Sequence, residues 1–440
     1  MNSVFLISTD WESLDEGEPD ERACFSALGI RANNQWLTEG RDAIANRLRQ
    51  SPLLSASHLA EWISWNWWRL RWEPRSLAEG WSFAHKTSNI GGGYIWPNIT
   101  IFSDGERTAL ISRPTHERED TPFRYISNVA AVIPSHDFEQ SIDEFLNQVI
   151  NRLEDQGVRG TNLQSLWADV CSERSDPTLT RYRKLEAMLG MEPDDAGDAL
   201  IETLISEGKL VGEGAVNELA ANRWNTRKLT IPSISDLSEI STNYGFSYSP
   251  ENMVKLSCSP NEFSWSSAIP AWRVGERAAK LLRKQERLAE EPIRDEQLAQ
   301  LIAVDKAVLS SDAYSPNGMS YAFDLSDGRS QIVLRSRYDD GRRFELARLL
   351  GDRLLTSEGA LFPSTRAYTY RQKVQRSFAA ELLSPFDDII NLLQGNYSYE
   401  NMHDVAEHFG VSDMTIRTQL VNHKVLERED LDPDTFALAA

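Results

Sequence analysis

The stretch GRRFELARLLGDRLL, residues 341–355, decides how the C-terminal third of this chain folds. Leu346, Leu350 and Leu354 recur every four residues, so they form one apolar stripe of a helix that must lie against a core. Arg348 and Asp352 are also four apart and are expected to pair on the neighbouring face, for roughly 0.2–0.5 kcal/mol if exposed. Immediately upstream, MSYAFDLSDGRSQIVLRSR (319–337) predicts a hairpin that turns at Asp327-Gly328 and feeds the helix. Downstream, YRQKVQRSFAAELLSP (370–385) predicts a second helix stopped by Pro385. The tail MHDVAEHFGVSDMTIRTQLVNHKVL (402–426) predicts two short helices around Gly410.

The remainder of the chain divides by pattern. In the first part, HLAEWISWNWWRLRWEPR (58–75) places Trp62, Trp65, Trp67, Trp68 and Trp72 with Leu59, Ile63 and Leu70 around most of a helical wheel, a helix central to a core that ends before Pro74. GGGYIWPNITIFSDGERTALIS (91–112) then predicts a hairpin turning at Asp104-Gly105, YISNVAAVIP (125–134) a further strand, and Phe138–Leu153 a helix. Gly91, Gly92 and Gly93 lack the Lys-Ser/Thr of a phosphate loop and are expected to be a turn. From about Gly160 to Leu301 short amphipathic helices alternate with loops, and the run Lys280 to Glu291 mixes signs as a solvated face would. These patterns give three expected regions: a Trp-rich α+β domain over 1–158, a helical connecting region over 159–305, and a mixed C-terminal domain over 306–440.

Composition excludes several classes of function. The 440 residues are 41% hydrophobic and 25% charged, an ordinary globular balance. A net charge of -20 repels a phosphate backbone unless a basic patch is segregated, and no Lys/Arg block supplies one. The acidic opening, Asp10 to Glu21, is read as a solvated loop. Cys24, Cys171 and Cys258 lie far apart with no CxxC spacing, as isolated thiols in a reducing compartment do. The N-terminus has only a short apolar run before its acids, and no stretch approaches the roughly 18 apolar residues of a membrane span, so a cytoplasmic protein with no membrane partner is expected.

Several segments in order carry a family likeness. They are the strand Ile332–Arg337, the helix start Arg342-Arg343-Phe344, then Leu346-Ala347, Leu350-Gly351 and Leu354-Leu355. A second helix follows with Phe378-Ala379-Ala380-Glu381-Leu382-Leu383 and Pro385, and a terminal turn Phe409-Gly410-Val411-Ser412. Over roughly residues 320–427 the chain resembles the ImmA/IrrE group of bacterial and phage metallopeptidase-like regulators. The resemblance implies a zincin-like fold whose first helix carries HExxH: two histidines one turn apart reach one zinc ion, and the Glu between them takes a proton from its water. Laid on this helix, the motif puts Arg348 at the first His, Leu349 at the Glu and Asp352 at the second His. The family's remaining ligand is an acid of the second helix, and Tyr370 to Ser377 contains none, Glu381 being the nearest. Arginine does not deprotonate to ligate and leucine is no base.

No other site replaces the missing one. No histidine falls between His136 and His403, and His58, His85, His116 and His136 form no legible ligand cluster. In HDVAEH, His403, Glu407 and His408 are one residue longer than an inverted HxxEH motif, and residues five apart lie about 140° apart on a helix. Ala406, Gly410 and Ile416, with Ser412 as N-cap, have helix-turn-helix spacing, but Arg417 and Lys424 are the only Lys or Arg on the second helix and Asp413, Glu400, Asp404 and Glu407 surround it.

These readings predict an α+β, multi-domain chain ending in a pseudo-peptidase domain, not an enzyme and with no cofactor, which acts by binding a protein or peptide partner. The docking groove is expected beside the former active-site helix, with Arg348 and Asp352 on its floor and Arg337, Arg342 and Arg343 at its entrance. The alternatives are a transcription regulator that reads DNA with residues 402–424, and a metallopeptidase whose site is unrecognised or completed by a partner.

Overall fold

The computed structural model describes residues 4–115, 121–222, 231–257, 268–288, 292–356 and 359–427. His116, Cys258 and the end of the mixed-charge run at Glu290 and Glu291 lie outside the described residues. The fold is mixed α+β and divides into two compact units, Met1–Ile201 and Glu202–Ala440. Among the described residues no helix is long and apolar enough to cross a membrane.

The first unit begins with β1 (Phe5–Trp11), the short helix α1 (Pro19–Ala23), β2 (Phe25–Ala32), β3 (Gln35–Trp36), β4 (Gly40–Asp42), β5 (Arg47–Arg49) and β6 (Leu53–Ser55). Next come α2 (Ala56–Trp72), α3 (Trp81–His85), β7 (Asn98–Ser103), β8 (Arg107–Arg113), β9 (Phe123–Tyr125), β10 (Val129–Pro134), α4 (Ser135–Asp155), α5 (Asn162–Ser175) and α6 (Pro177–Met188). The hairpin at Asp104-Gly105 forms as expected, with Gly105 at φ 105 where a side chain would be strained. The segment 125–134 is not one strand: Tyr125 ends β9, which pairs β4, and Val129 begins β10, which pairs β8. Ser55 caps α2 by accepting from the His58 amide at 3.4 Å. The helix buries Trp67 and Trp68, while Trp65 turns outward at 57% exposure.

The second unit contains α8 (Glu213–Ala221), preceded by α7 (Asp198–Val211), and then α9 (Ile234–Tyr244), β11 (Phe246–Ser247), α10 (Ala271–Gln285), α11 (Asp295–Leu301) and α12 (Ala307–Ser310). It continues with β12 (Ser320–Asp324), β13 (Ser330–Val333), α13 (Asp339–Leu355), β14 (Leu361–Ser364), α14 (Tyr370–Leu383), α15 (Phe386–Leu393), α16 (Tyr399–Phe409) and α17 (Asp413–Asn422). Its sheet is antiparallel in the order β11-β13-β12-β14, and the hairpin at Asp327-Gly328 leads into α13 as expected.

The expected connecting region 159–305 is not a body of its own. Helices α5 and α6 pack on α2, where Trp167 meets Trp67 edge to face at 5.6 Å. Helix α10 instead packs along α14, and β11 joins the second sheet. Nor is the mixed-charge run wholly solvated: Arg283 is buried and donates to the Leu382 carbonyl at 2.7 Å. The tail helices belong to the same core, since Ala406, Ile416 and Leu420 share it with Leu346, Leu350 and Phe378.

Helix α14 is held between α10 and α13 by two glycines. A Cβ at Gly275 of α10 would stand 2.4 Å from the Val374 carbonyl oxygen and 2.6 Å from the Phe378 nitrogen. At Gly351 of α13 it would stand 2.5 Å from the Phe378 ring. In an unobstructed helix Gly→Ala gains up to about 1 kcal/mol, so propensity and packing predict opposite signs. Gly275→Ala is expected to lower unfolding stability by about 1–3 kcal/mol or more. Gly351→Ala should cost less, because a ring can move where backbone cannot. Urea denaturation of both variants checks this, and a gain in either would contradict the packing account.

Candidate functional site

Helix α13 lies on the sheet through its leucines, and its polar side is fixed by Glu345. The Glu345 carboxylate accepts from the Ser320 hydroxyl at 2.6 Å, from the Arg335 and Ser336 amides at 2.9 Å each, and from the Arg335 guanidinium. This ties the helix to the end of β13 and sets where the following turn, Arg348 to Asp352, must fall.

The expected pairing of Arg348 with Asp352 is replaced by two separate arrangements. Asp352, 2% exposed, takes a two-pronged bond from Arg371 of α14, with Nε and Nη2 donating to its two carboxylate oxygens at 2.8 and 2.6 Å. Arg348, 6% exposed, donates through Nη2 to the Thr365 carbonyl at 2.9 Å and to the Gln372 and Gln375 side-chain oxygens at 2.5 and 3.3 Å. The four-residue spacing put both groups within reach, but burial leaves no water to share the charge, and the planar fork of Arg371 satisfies both oxygens of Asp352 at once. Leu349 is fully buried in the core.

The residues that complete this site escaped the sequence reading. Arg371, Gln372, Gln375 and Arg376 fall within about 140° of one side of α14. That repeat of Arg-Gln pairs is the available signal in the sequence. Gln372 and Gln375 each also donate to the Pro363 carbonyl at 3.0 Å, which orients their oxygens toward Arg348.

These residues do not fit a zinc ion. A guanidinium stands where a ligand is required, the one carboxylate is held by Arg371, and the position of the base is apolar core. Glu381 is not a substitute ligand: it caps α15 by accepting from the Phe386 amide at 3.1 Å, with Lys280 at 3.8 Å. Among the described residues, no group of three or more His, Cys, Asp or Glu is placed to hold a metal ion.

The expected docking groove is not open at its floor or at most of its entrance. Arg342 is 1% exposed and donates to the Val308, Ala313 and Ser336 carbonyls. Arg343 bonds the Ile293 carbonyl at 2.7 Å and pairs with Asp295. Arg337 alone of the five is exposed, its guanidinium 3.8 Å above the Tyr314 ring. The sheet edge at β14 is flanked by α8, and the Arg366 amide bonds Asn222 at 3.2 Å. An inserted arginine whose carbonyl acceptors come from the short helix α12 and two loops is part of the fold's interior, a role that charge counting along the chain does not reveal.

The tail helices meet at Gly410, in the left-handed conformation at φ 62, and Ser412 caps α17 by accepting from Thr415. Gln419 of α17 donates to the Ser384 carbonyl at 2.8 Å, which fastens that helix to the end of α14. His403 meets Asp413 at 2.9 Å across the turn.

Comparison with protein-family models, curated proteins and solved structures finds no match for this chain.

Two outcomes follow from the buried charges. Asp352→Ala leaves Arg371 buried without its counter-ion and is expected to cost about 3–5 kcal/mol, most of it recovered when Arg371→Met is added. Full stability in the single variant by denaturant titration would show that the pair does not hold α13 to α14. Burial pushes the Glu381 carboxyl up from 4.5 to about 8, with Lys280 and the Phe386 amide opposing. The folded state therefore keeps a proton that the unfolded chain releases, so the contribution of this carboxyl to stability should be full below pH 4.5 and be lost as pH rises through about 8. Glu381→Gln should flatten that part of the thermal stability profile relative to wild type.

Proposed function

We propose that this chain is a non-catalytic regulatory protein of ImmA/IrrE type that works by binding a protein or peptide partner in a bacterial stress, phage or mobile-element response. What supports the reading is the fate of the three positions that the resemblance assigns to chemistry. Arg348 is a buried cation cradled by two glutamines and a carbonyl, Leu349 is core, and Asp352 is bound by Arg371. Each has acquired a structural partner of its own, so the helix has been rebuilt around the replacement residues. A helix that retains its place while its ligands become packing serves recognition better than hydrolysis.

A second reading, a DNA-binding regulator, draws on the geometry of α16 and α17 about Gly410, with Ala406 and Ile416 buried at their contact. The bond from Gln419 to Ser384 and the acidic neighbours of Arg417 weigh against it. One preparation addresses both readings. Protein purified with zinc present is expected to retain no stoichiometric zinc, to show no peptidase activity sensitive to chelation, and to bind duplex DNA no better than about micromolar at physiological salt. About one zinc per chain with chelator-sensitive cleavage would replace the first reading. Sub-micromolar DNA binding weakened by Arg417→Ala would promote the second.

A further inference from the structure

Around Arg348 the cations are not balanced. Arg335, Arg348, Arg371 and Arg376 gather between the middle of α13 and the first half of α14, against the carboxylates of Glu345, Asp352 and Glu218. Those carboxylates are already engaged. Asp352 is filled by Arg371, Glu345 by Arg335 and two backbone amides, and Glu218 accepts from the Thr369 hydroxyl at 2.7 Å while burial raises its pKa. Arg348 and Arg376 are left with neutral partners. Both donate to the Thr365 carbonyl, at 2.9 and 3.3 Å, and Arg376 also donates to the Ala367 carbonyl at 2.8 Å. Each depends on neutral acceptors while repelling the other, and burial pushes the Arg376 guanidinium down to about 10 and Arg348 well below its ordinary range.

Among the described residues, three buried polar atoms here have no hydrogen-bond partner: Nε of Arg348, Nη1 of Arg376 and the Ser364 hydroxyl. Register puts Ser364 on the α13 side of the sheet, and the shared Thr365 carbonyl puts the two guanidiniums beside it. Ser364 of β14 lies directly across from Ser320 of β12, and the Ser320 hydroxyl reaches Glu345 on α13, so both serines face that helix. Ser364 is 5% exposed and precedes Thr365, whose carbonyl both arginines hold. Arg335 approaches from the end of β13 with 31% of its side chain exposed, and Arg376 is half-buried, so this end of the cluster reaches solvent.

We propose that Arg348, Arg376 and the Ser364 hydroxyl, with Arg335 at the mouth, form a binding site for a phosphate group. Unmatched donors from β14, α13 and α14 call for an acceptor with oxygens on several sides, which a tetrahedral phosphate has and a planar carboxylate lacks. Its charge, about -1.5 to -2 near neutral pH, also matches two guanidiniums without a carboxylate of their own. The inference does not depend on the family resemblance, because it uses only donors, burial and charge in this chain.

The test is phosphate titration of the full-length protein at constant pH and ionic strength, read by thermal denaturation and by calorimetry, with chloride as the matched control. Inorganic phosphate should raise Tm saturably, and phenyl phosphate, run in parallel, separates the two sources: stronger binding of the ester assigns the site to a phosphorylated ligand, equal or weaker binding to the free ion. Arg376→Gln should weaken phosphate binding by about tenfold or more, given the strength of charge-assisted bonds, whereas Arg337→Gln on the exposed surface should leave it unchanged. In phosphate-free buffer Arg376→Gln should be at least as stable as wild type, since it removes an unmatched charge, and phosphate should reverse that order. Should Arg376→Gln fail to fold, Arg335→Gln and phosphorus NMR line broadening on the wild-type protein give the same readout. No phosphate effect beyond chloride in the wild type, or equal effects in wild type and variant, would overturn the proposal. Metal content leaves this result untouched, so it can fail while the non-catalytic reading stands, and the reverse.

Discussion

Helix α14 can approach its two neighbours closely because each offers it a glycine, and the second unit depends on that approach. Gly275 admits the backbone near Phe378 and Gly351 admits its ring. With the helix axis fixed this way, Phe378 closes the core on one side, while Arg371, Gln372, Gln375 and Arg376 are carried beneath the polar turn of α13. A larger residue at either glycine would displace the residues that receive Arg348 and Asp352. The apolar packing and the polar cluster are therefore one constraint, since a helix moves as a rigid rod and cannot shift one face without the other.

Much of the second unit was legible from local pattern. The Asp327-Gly328 turn, the leucine stripe of α13, the stop at Pro385 and the two helices about Gly410 each depend on residues within a turn or two of one another. What was not legible depends on choices among distant partners. Sequence spacing gave Arg348 and Asp352 the reach to pair, yet Asp352 took Arg371, 19 residues on. Arg342 and Arg283 carry full charges and so read as surface, but each is inside because backbone carbonyls remote in sequence accept from it. Domain boundaries failed for the same reason. Nothing local in α10 announces α14 as its partner.

Set against an HExxH zinc site, the cluster has the opposite sign. Zinc chemistry needs neutral or negative donors facing a dication, and here the guanidiniums of Arg348, Arg371 and Arg376 face glutamines, carbonyls and the engaged carboxylates of Glu345, Asp352 and Glu218. Low dielectric magnifies either arrangement, so partial reversal would be costly: a histidine at Arg348 would face the donors of Arg371 and Arg376. The Gln372 and Gln375 oxygens, both held by Pro363, are oriented for a donor.

The partnership of α10 with α14 also has a consequence during synthesis. Arg283 is buried against the Leu382 carbonyl, a group that emerges from the ribosome 99 residues after it. At about 5–20 residues per second, the amphipathic face of α10 waits on the order of 5–20 s for the helix that covers it. The first unit has all its strands and its Trp-rich helix within 201 residues and can close while the rest is still being made. The second cannot close until its chain is nearly complete, and it is there, on the nascent polypeptide, that a chaperone would find exposed apolar surface.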